Sequence, residues 1–169
     1  MPSKAFLRAL DPQTEQDLFQ EAFNWRKSPR RDRVAFEVFA ANDPRQIVMG
    51  LFDGEDFLAV YVFYQMSTDT WDCHFTSRRD APKDLVWAAG RQLVMFFTEN
   101  NLNLHAVVPQ RNKPLCRWVA SVGLRVVGTQ QSGGQNDTDS GSVSATRKPF
   151  LEFRSWVNAN RPFGQETGK

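Results

Sequence analysis

Apolar and polar positions recur along this chain with two different periods, and the switches between them mark out its elements. Residues 5–9, Ala-Phe-Leu-Arg-Ala, predict a short first strand, broken by Asp11-Pro12. Leu18, Ala22 and Trp25, with Phe19 and Phe23 beside them, recur at helical spacing up to Arg26. Thr14 and Asp17 ahead of that stripe read as an N-cap and an acidic first turn. Ser28-Pro29 interrupts, and Val34, Ala35, Val38 and Phe39 then form the buried side of a second helix over residues 30–41. Residues 46–52 are apolar, and Asp53-Gly54 is a strong hairpin signal. Residues 57–64 are apolar on both faces, as in a central strand covered on each side. Residues 67–70 turn the chain, and 71–76 alternate as the next strand. Leu85, Ala89, Leu93, Phe96 and Phe97 give a long helix over 85–98, closed by Asn100-Asn101, and 102–108 is another strand.

The most specific stretch comes next. Leu104-His105-Ala106-Val107-Val108-Pro109-Gln110-Arg111-Asn112 ends an apolar segment, and Lys113-Pro114-Leu115-Cys116-Arg117-Trp118-Val119-Ala120-Ser121-Val122-Gly123-Leu124 follows. Pro114 suits the first turn of a helix, where a missing N–H costs nothing. Leu115, Trp118, Val119 and Val122 make one apolar face. Gly123 stands where a left-handed cap is expected, and residues 124–127 read as a strand. Residues 130–142 contain no apolar side chain and read as a flexible hairpin tip, extending to about 145. A last strand over 150–153 and a tail over 156–169, with Trp156 and Arg161-Pro162-Phe163-Gly164, complete the chain.

Strand, Asn, short helix, Gly-aliphatic, strand: the run from Asn112 to Gly123-Leu124 resembles the C-terminal half of the GCN5-related N-acetyltransferase (GNAT) family, with Leu where the family has Phe. The order β-α-α-β-β-β-α-β-α-β extends the resemblance, as topology, over residues 5–153. It implies one α/β (α+β) domain over 1–169, a GNAT-like acyl-CoA N-acyltransferase fold with a central mixed sheet of about seven strands and four helices. Parallel pairing is expected between 71–76 and 102–108, because a helix crosses over between them. Their C-terminal ends should splay, as in the family.

Composition narrows the setting. At 169 residues, with 41% hydrophobic and 12% aromatic content, the chain can build a real core. A net charge of +2 gives nucleic-acid binding no support. Cys73 and Cys116 are too few for a disulfide scaffold. The stretch from Met1 to Arg8 has no sustained apolar core and no later segment spans a membrane, so a reducing cytoplasmic setting is the expectation.

The resemblance implies three chemical requirements. The first is a cradle for the pyrophosphate of acetyl-CoA, an Arg/Gln-x-x-Gly-x-Gly/Ala turn opening the long helix. Here that stretch is Ser77-Arg78-Arg79-Asp80-Ala81-Pro82-Lys83-Asp84-Leu85, without glycine. Arg78, Arg79 and Lys83 could hold phosphate as side-chain charges, with Phe75, Ser77 and Asn112 as the other expected cofactor contacts. The same turn also reads as a basic helix entry with Asp84 as an ordinary N-cap. The second requirement is a general acid, often a Tyr seven residues after the Asn. That position is Val119, which carries no proton; Trp118 is a donor without a titrating proton, and Cys116 is a nearby thiol. Cys116 also reads as a small core hydrophobe. The third is a base, which many relatives carry on the fourth strand. Asp72 and His74, two residues apart, share a strand face and could act as a carboxylate–imidazole pair. They also read as a polar strand face, and His105 as a hydrogen-bonded core histidine. No His/Cys cluster has metal-ligand spacing.

The basic run Arg26-Lys27-Ser28-Pro29-Arg30-Arg31-Asp32-Arg33 falls in the loop that borders the acceptor groove in this family; it also reads as a solvated helix junction. Two functions follow. One is an acetyl-CoA-dependent N-acetyltransferase with degraded cofactor and general-acid positions, its partners a CoA thioester and an amine acceptor. The other is a non-catalytic assembly component whose partners are other protein subunits, in host cytoplasm or virion, since degenerate domains of this kind occur among bacteriophage virion proteins.

Overall fold

The computed structural model describes residues 4–25, 43–130 and 150–155. The expected helix over 30–41, the basic run, the loop beyond Gln130 and the tail over 156–169 lie outside the described residues. Among the described residues, seven strands and three helices follow in the expected order. They are β1 (Ala5–Ala9), α1 (Gln16–Asn24), β2 (Gln46–Asp53), β3 (Asp56–Gln65), β4 (Thr70–Ser77), α2 (Lys83–Glu99), β5 (Asn103–Pro109), α3 (Lys113–Ser121), β6 (Arg125–Gln130) and β7 (Phe150–Arg154).

The strands form one sheet in the order β1-β2-β3-β4-β5-β7-β6. Gly54, at φ +62°, turns the β2–β3 hairpin, a conformation glycine adopts without Cβ strain. Leu51 pairs with Ala59 and Phe52 with Phe57, so Leu58 is the extra residue of a bulge. β3 is buried from Phe57 through Phe63, which accounts for its unbroken apolar sequence. On one sheet face, Phe19 and Ala22 of α1 pack against Val48, Phe52, Val60 and Val62. On the other, α2 and α3 bring Val86, Ala89, Leu93, Phe97, Val119 and Val122 against Tyr61, Phe63, Leu104 and Phe153.

Some local expectations change. Glu15, not Thr14, is the N-cap residue of α1, and its side chain makes no cap bond into the helix. Instead the Thr14 hydroxyl donates to Asp11 at 3.0 Å, while the Asp11 amide donates to the Glu15 carboxylate at 2.8 Å. Asp11 thus organises the turn in its own Asx geometry and leaves Thr14 no role at the helix end. α2 starts two residues earlier than the apolar stripe suggests, with Pro82 as N-cap and no side-chain cap, so Asp84 lies inside the first turn. The fixed φ of Pro82, −57°, presets that entry. Phe96 is 56% exposed, because the inward stripe runs Val86, Ala89/Gly90, Leu93, Phe97 and Phe96 falls beside it.

Candidate active site

The placement of the site follows from one ladder. β4 and β5 pair in parallel over three residues: Thr70 with Asn103, Trp71 with Leu104, Asp72 with His105. Beyond that point they diverge, although β4 continues to Ser77 and β5 to Pro109. From Cys73 to Ser77, β4 keeps its ladder to β3 but has no strand partner on the β5 side among the described residues. The N-termini of α2 and α3 open at the same end. A crevice outside the carboxyl ends of parallel strands is the usual ligand position in open α/β sheets.

On the α1 face of the divergence sits a polar cluster. Cross-strand pairing puts Asp72 beside Tyr64 and His74 beside Val62, the same side as the α1 core. Asp72 Oδ2 lies 2.9 Å from His74 Nε2, and Asp72 Oδ1 lies 3.0 Å from His105 Nδ1. His105 Nε2 lies 3.0 Å from Glu152 Oε1, which also accepts from Arg154 Nε and a terminal guanidinium nitrogen at 3.2 and 3.1 Å. His105 is buried, at 7% exposure, whereas the His74 side chain is 59% exposed. Burial alone would raise the Asp72 pKa, but hydrogen bonds from His105 and His74 outweigh it and bring the carboxyl to about 2. The hydrogen bond to Asp72 raises the His105 pKa against the opposing effect of burial, and the Glu152 charge adds to the rise.

Sequence reasoning brought together Asp72 and His74, and placed His105 as a bonded core histidine. It did not find Glu152 and Arg154. Their only signal was the alternation Glu152-Phe153-Arg154, which puts both side chains opposite the buried Phe153.

The residues expected to contact a cofactor lie on and beyond the other face. Phe75 stacks on Trp118 of α3, ring centroids 4.5 Å apart and 18° between planes, and tilts against Tyr61 at 5.2 Å. This stack fills the space under the diverging strands, leaving a cavity of about 30 Å³ lined by Tyr61, Cys73, Gly90, Leu93, Trp118 and Val119. The Trp118 Nε1 hydrogen is buried without an acceptor. Ser77 ends β4. Arg78 donates to Asp80 at 2.7 Å and approaches Asp56 at 3.9 Å, while Arg79 and Lys83 make no ion pair among the described residues. Helix geometry leaves the amides of Lys83, Asp84 and Leu85 without intrahelical acceptors.

Asn112 is the N-cap of α3, its Oδ1 accepting from the Leu115 amide at 3.2 Å. Cys116 is half-buried, with Sγ 3.7 Å from the Pro109 carbonyl it faces. It stands off the polar cluster, and Val119, at the expected general-acid position, is buried in the core. Burial pushes the Cys73 thiol up to about 12, with the Asp72 charge adding to the effect. Among the described residues no group of three or more His, Cys, Asp or Glu could hold a metal ion, and no helix is long and apolar enough to cross a membrane.

No family model matches the chain, and no curated protein sequence matches it. Solved structures do. A chimera of the Vibrio cholerae spermidine N-acetyltransferase superposes with a TM-score of 0.68 at 12% identity, covering 92% of this chain and 96% of its own. The chain has the GNAT fold. A GNAT-family acetyltransferase from Streptococcus pneumoniae covers 90% of this chain and 99% of its own, with a TM-score of 0.63 at 13% identity. The IAA acetyltransferase from Bacillus cereus gives 0.61 at 10% identity, over 90% and 99%. The parallel β4–β5 pair, its divergence and the α2 crossover are where the GNAT resemblance put them.

Proposed function

We propose that this GNAT-fold chain is an acyl-CoA-dependent N-acyltransferase in which the Asp72–His74 pair accepts the proton of an acceptor amine. The observation that carries this reading is the 2.9 Å contact between Asp72 and an exposed His74, set at the mouth of the β4–β5 divergence. A carboxylate on Nε2 selects the tautomer protonated there and leaves Nδ1 as a lone pair for the incoming amine. Two features fit an acyl-CoA. The open edge of β4 offers backbone donors and acceptors to an extended amide-bearing arm. The α2 amides, with Arg79 and Lys83 beside them, suit an anionic end. When bound, acetyl-CoA would supply the activated acyl group. The residues of the chain then orient the amine, take its proton at His74 Nδ1, and shield the reacting carbonyl from water with the Phe75–Trp118 stack.

The test is amine-dependent release of free CoA thiol from acetyl-CoA across a panel of primary amines. His74→Ala should lower kcat by about 10²- to 10⁴-fold, the usual weight of a positioned general base. Unchanged turnover in that variant would remove His74 from the chemistry.

A second reading is favoured by a different observation. Val119 replaces the usual proton donor, and the Phe75–Trp118 stack closes the interior of the divergence. Both suit a non-catalytic module whose partners are protein subunits. Calorimetric titration with acetyl-CoA separates the two: no heat of binding at millimolar ligand supports the module and rejects the enzyme.

A further inference from the structure

We propose that His105 and Glu152 are positioning residues for the Asp72–His74 pair: a buried imidazolium, held between two carboxylates, fixes Asp72 so that His74 keeps its proton on Nε2 and turns Nδ1 outward. The proposal rests on reading Asp72–His74 as the base, but its geometry stands apart from any ligand.

The charge of His105 follows from counting the protons that its two neighbours require. His105 Nδ1 faces Asp72 Oδ1 at 3.0 Å and Nε2 faces Glu152 Oε1 at 3.0 Å. A neutral imidazole carries one N–H and could satisfy only one of these oxygens, setting a lone pair against a carboxylate at the other. Doubly protonated His105 donates to both. At 7% exposure, His105 has little water to take the place of a lost bond. Asp72 then divides its oxygens, Oδ1 accepting from His105 and Oδ2 from His74. The carboxylate cannot rotate without breaking one of two charge-assisted contacts.

The chain of bonds joins three strands where the sheet parts: β4 through Asp72, β5 through His105 and β7 through Glu152. Asp72 and His105 are the last β4–β5 pair before the divergence, so the clamp sits at its apex. Among the described residues, few groups face it. β3 brings Val62 beside His74 and Tyr64 beside Asp72. β7 brings Arg154, whose guanidinium shares the Glu152 oxygen with His105 and offsets its charge. α1, packed on the same face, carries Asp17 and Glu21 at exposed positions. The consequence concerns how His74 presents its lone pair: with Oδ1 held by His105, Asp72 keeps Oδ2 in one orientation toward His74 Nε2.

The test begins with ring ¹⁵N NMR of the unmodified full chain without ligand. At pH 7, both His105 nitrogens should show the protonated pattern, and His74 the pattern of a single Nε2–H tautomer. His105→Gln should free the Asp72 carboxylate to rotate, so that the His74 ring spectrum changes from a single Nε2–H tautomer to a mixture of both. In that variant kcat should fall while KM changes little. Glu152→Gln provides a second variant that keeps the volume; there the His105 midpoint should fall. A neutral His105 at pH 7, or a single Nε2–H tautomer of His74 retained in a folded His105→Gln protein, overturns the proposal. If neither variant folds, the ring spectrum of the unmodified chain still decides. If His74→Ala retains turnover while the ring spectra agree, the base reading has failed and the clamp has not.

Discussion

Single side chains show most clearly how charge and volume are balanced here. Asp72 has a folded pKa of about 2, below its ordinary value of 3.8. Its contribution is therefore present above about pH 4 and lost as pH falls toward 2. Roughly 1–2 kcal/mol should disappear across that window, and Asp72→Asn should flatten it in urea melts taken at several pH values. The sign reverses for His105. Its raised pKa gives stability that is fully present below 6.5 and is lost as pH rises through the folded value, so His105→Gln should remove a decline on the alkaline side. Gly90 is a volume case. A Cβ there would stand 2.8 Å from Trp118 Cζ2 and 3.3 Å from Val122 Cγ1. Gly90→Ala should destabilise by about 1–3 kcal/mol, outweighing the gain of about 1 kcal/mol in helix propensity. The cost of Gly90→Ala should be smaller when measured in a Trp118→Leu background than in the unmodified chain, because the indole edge is the obstacle.

At the scale of elements, the ends of α2 and α3 are built differently. α3 is capped by the Asn112 side chain, with Pro114 in its first turn and Gly123, at φ +111°, just beyond its end. Asn112→Ala should cost about 1 kcal/mol of stability, measured by thermal unfolding, whether or not a ligand binds. α2 has no side-chain cap at its start, and its free amides begin at Lys83, four residues after Arg79. If an acyl-CoA binds there, Arg79→Ala with Lys83→Ala should weaken it by about 1.5–3 kcal/mol for each charged hydrogen bond lost. Unaltered affinity in the double variant would place the anion elsewhere. The two strands that diverge have their own signature. Amides of β4 that point to β3 should exchange slowly with deuterated water. Alternate amides between Cys73 and Ser77 that point to the open edge should exchange far faster, though β4 lies in mid-sheet. Uniform protection along β4 would mean that the edge is closed in solution.

For the whole molecule, the sheet separates two environments. α2 and α3 cover one face with an aromatic core that includes Phe63, Phe97, Trp71 and the Phe75–Trp118 stack. α1 covers only the β2–β3 part of the other face, and the polar cluster occupies the β4–β5–β7 part. On the acyltransferase reading proposed above, the acyl donor and the amine are expected at opposite faces of the divergence.

Element order was legible in the sequence because it depends on local periods and breakers: the Leu93-to-Phe97 stripe, Asp53-Gly54, and Asn112 with Pro114 and Gly123. The parallel β4–β5 pairing was legible too, since a helix between two strands leaves little alternative. Asp72 and His74 could be paired from their spacing, because residues two apart on a strand share a face. Register and distance were not legible. Glu152 lies 47 positions from His105 and meets it only because β7 inserts between β5 and β6. The Phe75–Trp118 stack likewise needed α3 docked on β4, with Gly90 of α2 leaving room for the indole. Local sequence fixes which face a side chain takes. Which partner waits there is decided by strand order and packing, where residues far apart in the chain must satisfy one another's volume, hydrogen bonds and charge.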